Sequence, residues 1–575
     1  MATGVKGSDV YTSVDLDNEL LALSVLLNRG VNSETVKDSV NNIIDSFNKL
    51  QLVDLLVLAF QTRDIRGGKG ERDASRYIFE ALLSNPATSK VTLDLLDLIP
   101  EYGCWQDLFK LHQASDRVKQ IVKQQFQQDE QTVGVYNAVL AMKNPHEKVE
   151  KPNISLLAKW MPREGQPGAD QFAFLLVPGK MLYWTRMKYY RKRVSALNKF
   201  LQTVEVKMCA KKFADIVPNA VPGRALKNYV NAFLNKDKKN NLRHPSDEDR
   251  MACRDHFEKH FAKISSGELN AKGADTLFPH EVVKKAWSLL SPKCTHYKSD
   301  NYICDYCEKN DERNHLRGVW RSMVDVAKAG GGLGRSIAMC DFSGSMMSGV
   351  SKDTPYWVSM ALGLLISEVT TSEFKNTFLS FDSTPRFHRL PHGDLFTKLE
   401  SFDPRTIGQG LSTDFQKAMD LVLAKCKEAR VKPGEEPENL IVLTDMGWDS
   451  ACSSSQVSSY TSNSYRNVVK TESWQTHVEM IRESFKRAGE DMWGVGWKMP
   501  TIVIWNISSS CQDFHAKADT PGVVMLSGWS PSLFKVLQTK GISEMTPEKA
   551  LQIQLNDTRY DVVRQRFLQF ITNKY

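Results

Sequence analysis

The chain has 575 residues, of which 41% are hydrophobic and 25% charged, a length and balance that exclude a single small fold and wholesale disorder. Its 75 Lys and Arg against 67 Asp and Glu leave a formal charge of +8, too mild by itself to demand a nucleic-acid partner. Its 10 cysteines are too sparse for a disulfide scaffold and suit a reducing compartment. Residues 1–12 lack a positively charged segment leading into an apolar one, and the most apolar windows, 50–60 and 172–177, fall short of the roughly 20 residues that span a bilayer. The expectation is a cytoplasmic protein with no membrane partner.

The first third predicts helix after helix: 17–27, 33–46, 50–62, 71–83, 89–98 and 105–112 each repeat apolar residues at spacings of three and four. Short breaks carrying Gly, Asn or Pro separate them, so residues 1–330 are expected to form a HEAT-like stack of antiparallel helix pairs. Between 151 and 250 the charge shifts to 20 basic against 8 acidic residues, a local net of +12. Within that stretch lie Trp184, Arg186, Lys188, Tyr189, Tyr190, Arg191, Lys192 and Arg193, cations interleaved with aromatics. Phosphate neutralisation with base stacking needs that mixture, and a solvated helix face whose lysines serve solubility is the alternative.

Further on, Cys294 and His296 precede Cys304-x-x-Cys307, with His315 as a spare donor. Two thiolates two residues apart can chelate one ion, so Cys294, His296, Cys304 and Cys307 are candidate ligands of a structural Zn²⁺ in the loop 294–315, the alternative being unligated thiols in an exposed loop. Cys253, His256 and His260 share a helical face as well, but that spacing suits a polar surface.

After Gly330-Gly331-Gly332-Leu333-Gly334 the pattern changes. Short apolar runs at 336–340, 377–381, 440–443, 501–505 and 522–526 alternate with amphipathic segments at 357–369, 414–430, 474–488 and 532–537. Residues 331–575 are therefore expected to form an α/β, doubly wound, Rossmann-like domain. Leu551, Val562, Val563, Phe567 and Phe570 in the tail predict an amphipathic helix docked on another element.

The sharpest chemistry follows the first strand, in Asp341-Phe342-Ser343-Gly344-Ser345. Thr413 stands before a helix, and Asp445 directly after the strand 440–443. Asp341, Ser343, Ser345, Thr413 and Asp445 supply only hard oxygen donors, which suit Mg²⁺ or Mn²⁺. A helix-capping turn would account for the serines alone. A phosphoryl-transfer site would place a second carboxylate where Ser343 stands. Arg66-Gly67-Gly68-Lys69-Gly70 is not a phosphate loop, since Glu71 follows in place of Ser or Thr and the preceding element is helical; it reads as a tight helix–helix turn. The chain also carries no Gly-x-Ser-x-Gly, His-Glu-x-x-His or Walker sequence, so no enzyme is expected.

Those five oxygen donors resemble the metal-ion-dependent adhesion site of von Willebrand factor A domains, an Asp-x-Ser-x-Ser run with a distant Thr and a later Asp. The resemblance implies a Mg²⁺ whose coordination is completed by an acidic ligand from a protein partner. The segments 63–72, 103–108, 158–163 and 277–281 resemble an uncharacterised family that joins a helical N-terminal region to such a domain. The same domain order is similar to that of the Ro autoantigen family, whose TROVE ring of helical repeats binds noncoding RNA. That resemblance implies a non-catalytic, RNA-binding ribonucleoprotein component, with Arg186, Lys188, Tyr189, Tyr190, Arg191, Lys192 and Arg193 as its RNA surface. A metal-dependent protein scaffold without RNA is the second expectation.

Overall fold

The computed structural model describes residues 2–3, 9–10, 18–46, 49–142, 149–237, 241–290, 311–347, 353–371, 374–381, 384–402, 415–446, 474–509, 514–538 and 545–572. The chain divides into two compact units, one made of 1–78 with 261–562, the other of 79–260 with 563–575. Within the first unit, N-terminal helices and the sheet share one core.

The first unit is built on a six-stranded sheet. Its strands are β1 (Ser336–Asp341), β2 (Thr377–Phe381), β3 (Phe387–Arg389), β4 (Asn439–Thr444), β5 (Thr501–Asn506) and β6 (Val523–Ser527). Every residue of β1, β4, β5 and β6 is buried, the near-continuous apolar signature of parallel strands covered on both faces. The order is β3-β2-β1-β4-β5-β6, parallel throughout except for the antiparallel edge strand β3. Five of the six strands match the apolar runs read from sequence. The sixth, β3, is only three residues long and half exposed, too short to leave an alternating pattern.

Parallel neighbours require crossovers, which the helices Pro355–Val369, Phe415–Glu428 and Trp474–Trp493 provide. Pro355–Val369 lies so close to β1 that a Cβ at Gly363 would collide with Cys340 Sγ. Because the connections run to one side from β1 and to the other from β4, the order reverses between these two strands. The crevice at their carboxyl ends is the place where open α/β sheets hold ligands.

Helix Glu19–Leu26, capped by Asn18 Oδ1 accepting from Leu21 N at 2.9 Å, packs on β6 and is buried from Leu20 to Val25. Its apolar surface runs all the way round, which requires enclosure. Lys49–Arg63 packs on Pro547–Leu555, which in turn packs on β6. The tail is therefore two helices, Pro547–Leu555 and Asp561–Thr572, and Val562 in the first turn of the second is exposed where burial was expected.

In the second unit the long helix Ser115–Ala141 packs against Ala169–Leu176 and Tyr183–Leu201. Further along, Phe233 stacks on Phe257 with centroids 4.4 Å apart. Val563 and Phe567 of the tail are buried there, and Arg566 Nη2 reaches both carboxylate oxygens of Asp97 at 2.6 and 2.7 Å.

Candidate functional site

Strand β1 ends on Asp341, which is fully buried. Its Oδ1 accepts from Ser343 N at 2.9 Å, turning the chain back at once, and Ser343 Oγ then lies 3.1 Å from Ser345 Oγ. Oxygen ligands at neighbouring corners of a Mg²⁺ octahedron, each about 2.1 Å from the ion, sit about 3 Å apart. The hydroxyl pair has that spacing. The register aligns Cys340 with Leu443, so Thr444 ends up beside Asp341 and its Oγ1 donates to Asp341 Oδ2 at 3.2 Å. Asp445 follows directly, 2% exposed. Ser343 is equally buried, so Asp341, Ser343 and Asp445 are all enclosed at the strand ends.

Asp341, Ser343, Ser345 and Asp445 are thus brought to the ends of the two strands flanking the switch point. Thr413 lies outside the described residues. Among the described residues no group of three or more His, Cys, Asp or Glu side chains is placed to hold a metal. The candidate set has two carboxylates and relies on hydroxyls for the rest, so the oxygen chemistry fits Mg²⁺ or Mn²⁺ and no softer ion. The same burial pushes the neighbouring Cys340 thiol far up, with the Asp341 charge adding to the effect.

Sequence reasoning missed the surroundings of Lys69. The turn between Lys49–Arg63 and Arg72–Ser84 is tight, as expected. Gly70 has φ +73°, while Gly68 is needed for close approach, because a Cβ there would collide with the Gln61 carbonyl oxygen. Lys69, however, points inward and is 1% exposed. Its Nζ donates to Ser24 O and lies 2.5 Å from Ser527 Oγ at the end of β6. Burial lowers its pKa to about 7 against the opposing pull of Glu71. Glu71, itself raised by burial, takes Arg29 at 3.2 and 3.3 Å, and the Arg29 guanidinium lies 4.1 Å from the centroid of Trp529. Asp64 pairs with Arg559 and accepts from Tyr560 Oη at 3.2 Å. No spacing rule reveals this network, because it joins residues 24–71 to residues 527–560.

In the second unit, helix Tyr183–Leu201 sorts the seven basic and aromatic candidates by its own period. Arg186, Tyr190 and Arg193 fall on the packed face. Arg186 donates to Val177 O at 2.6 Å and Gly179 O at 2.8 Å while covering Phe174. Tyr190 Oη donates to Pro162 O at 2.7 Å, and burial pushes its pKa up. Arg193 pairs with Glu130, its Nε 2.7 Å from Oε1. Lys188, Tyr189 and Lys192 face solvent, as does Arg191 beside its partner Glu164. Trp184 is 73% exposed, and its ring meets Tyr183 edge-on at 5.1 Å.

Cys294, His296, Cys304 and Cys307 lie outside the described residues. His315 is buried with its ring 4.7 Å from that of Phe261. Cys253 is buried and its pKa is pushed up to about 12 by desolvation, which suits a packed thiol and no surface ligand.

Residues 335–568 match a family described as a domain of unknown function (DUF7788), and residues 178–333 match a second such family (DUF2828). The candidate metal set falls within the first match and helix Tyr183–Leu201 within the second. Over 524 residues the chain is 24% identical to the uncharacterized protein L728 of Acanthamoeba polyphaga mimivirus, covering 88% of this chain and 80% of that one. No solved structure matches the chain. Among the described residues no helix is long and apolar enough to cross a membrane.

Proposed function

We propose that this protein is a non-catalytic binding component that holds Mg²⁺ through Asp341, Ser343, Ser345, Thr413 and Asp445, and through the ion an acidic group of a protein partner. The observation that carries the reading is the placement of Asp341 and its two serines at the end of β1, with Asp445 at the end of β4, across the reversal in strand order. The resemblance to von Willebrand factor A domains supports it. Bound there, the ion would supply a Lewis-acidic docking point. The chain's own residues hold it and orient the partner's carboxylate, and no nucleophile or general base is assigned. Calorimetric titration of the full chain with Mg²⁺ and Mn²⁺ tests this. Uptake of one ion, lost in Asp341→Asn with unchanged circular dichroism, is expected; no uptake by the wild-type chain refutes it.

The second activity we propose is contact with single-stranded noncoding RNA on the outer face of helix Tyr183–Leu201, in a ribonucleoprotein. Exposed Trp184 and Tyr189 beside Lys188, Arg191 and Lys192 favour it, because stacking platforms flanked by cations suit unpaired bases. Arg186, Tyr190 and Arg193 then support the surface from beneath. Binding of an unstructured RNA at several salt concentrations tests the reading. The joint variant Lys188→Ala/Lys192→Ala should lower the log–log salt slope by about 1.4, about 0.7 per lost phosphate contact. A wild-type slope near zero removes RNA and leaves the metal-dependent scaffold.

A further inference from the structure

Asp445 leaves β4 through a backbone turn that most side chains resist. Met446, directly after it, has φ +67° and is 1% exposed, so a buried residue with a Cβ occupies the left-handed region that favours glycine. Such a conformation persists only where its surroundings hold it. Two groups hold the Met446 backbone, one at its N–H and the other at its carbonyl. Thr444 Oγ1 accepts from Met446 N at 3.2 Å, and His515 Nε2 lies 2.9 Å from Met446 O. A carbonyl oxygen only accepts, so the ring carries its proton on Nε2.

These two groups do different work. Thr444 also donates to Asp341 Oδ2, so it ties the turn to the first carboxylate of the candidate site. His515, 1% exposed, comes from the connection between β5 and β6 and meets the turn at its carbonyl, after the amide that Thr444 holds. We propose that His515 is a positioning residue of the divalent-cation site: by donating to Met446 O it holds the left-handed turn and so sets the direction in which Asp445 presents its carboxylate. The inference rests on the metal reading above and adds to it a residue outside the five oxygen donors. Outer partners that orient metal-binding side chains commonly set affinity by about 10- to 100-fold.

The full-length protein serves for the test. Mg²⁺ affinity is measured by calorimetry for the wild type, His515→Phe and His515→Gln, and amide hydrogen exchange across 440–446 is followed in the metal-free proteins. Phe keeps the bulk of the ring without its donor, whereas the Gln amide nitrogen reaches the place of Nε2. His515→Phe should bind Mg²⁺ about 10-fold more weakly and exchange faster at 444–446, with His515→Gln within about 3-fold of the wild type on both counts. Should the Phe variant fail to fold, His515→Asn, whose amide is too short to reach Met446 O, carries the same expectation. Equal affinity in the wild type and the donor-less variant overturns the inference alone, as does an equal loss in the Gln variant. Absence of Mg²⁺ uptake by the wild type overturns the metal reading itself.

Discussion

Replacing Lys69 by Met should stabilise the protein in mildly acidic solution and progressively less as the pH rises. Lys69 is 1% exposed, and burial lowers its pKa from 10.5 to about 7. Between those values the unfolded chain holds a proton that the folded chain lacks, so unfolding free energy climbs with pH at up to about 1.4 kcal/mol per unit. Below about pH 7 the folded protein carries the buried ammonium at its full cost, about 5 kcal/mol for a shift of this size. Met fills the channel beside Gly528, and Ser527 Oγ keeps its bond to Ser24 O at 2.6 Å. The variant should therefore be more stable than the wild type by about 1–4 kcal/mol near pH 6. That advantage should shrink by about 3 kcal/mol between about pH 7 and about pH 9, as the wild-type amine becomes neutral and keeps its hydrogen bonds. Urea unfolding of both proteins across this range measures the difference, in which titrations common to both cancel. Parallel stability profiles for the two proteins would refute the reasoning.

Two further outcomes follow from burial in the two units. Arg186→Ala should destabilise by about 2–3 kcal/mol, since it strips two charged hydrogen bonds from the carbonyls of Val177 and Gly179 and uncovers Phe174, whereas Lys192→Ala should stay within about 0.5 kcal/mol. Limited proteolysis of the two variants side by side checks this, and equal susceptibility contradicts it. Cys253 and Cys426, buried and pushed up to about 12 by desolvation, should resist maleimide near neutral pH while exposed Cys209 reacts. Peptide mapping before and after denaturation measures the contrast, and comparable labelling of all three in the native protein would count against the packing described.

The strands were legible because parallel strands covered on both faces must be apolar at every position. Runs such as Leu440-Ile441-Val442-Leu443 have little else to become when turns bound them. The Asp-x-Ser-x-Ser run was legible for a local reason: Asp341 Oδ1 takes Ser343 N two residues on, a turn whose partners adjoin in sequence. Helix Tyr183–Leu201 was legible as a helix but not as an interface. Its Arg and Tyr residues look alike in sequence, and the neighbouring helices decided that Arg186, Tyr190 and Arg193 turn inward.

Sequence alone determined the elements and their chemistry: helices from a period of three and four, strands from unbroken apolarity, and hard-oxygen donors at strand ends. Only the tertiary structure decided which elements share a core. It placed Glu19–Leu26 against β6 in place of a separate helical stack, buried Lys69 beside Ser527, and brought His515 to the turn after Asp445. The physical reason is range. A helix or strand is selected by interactions between residues a few positions apart, whereas the partner of a buried charge or a strained peptide is chosen by packing among segments that chain order leaves far apart.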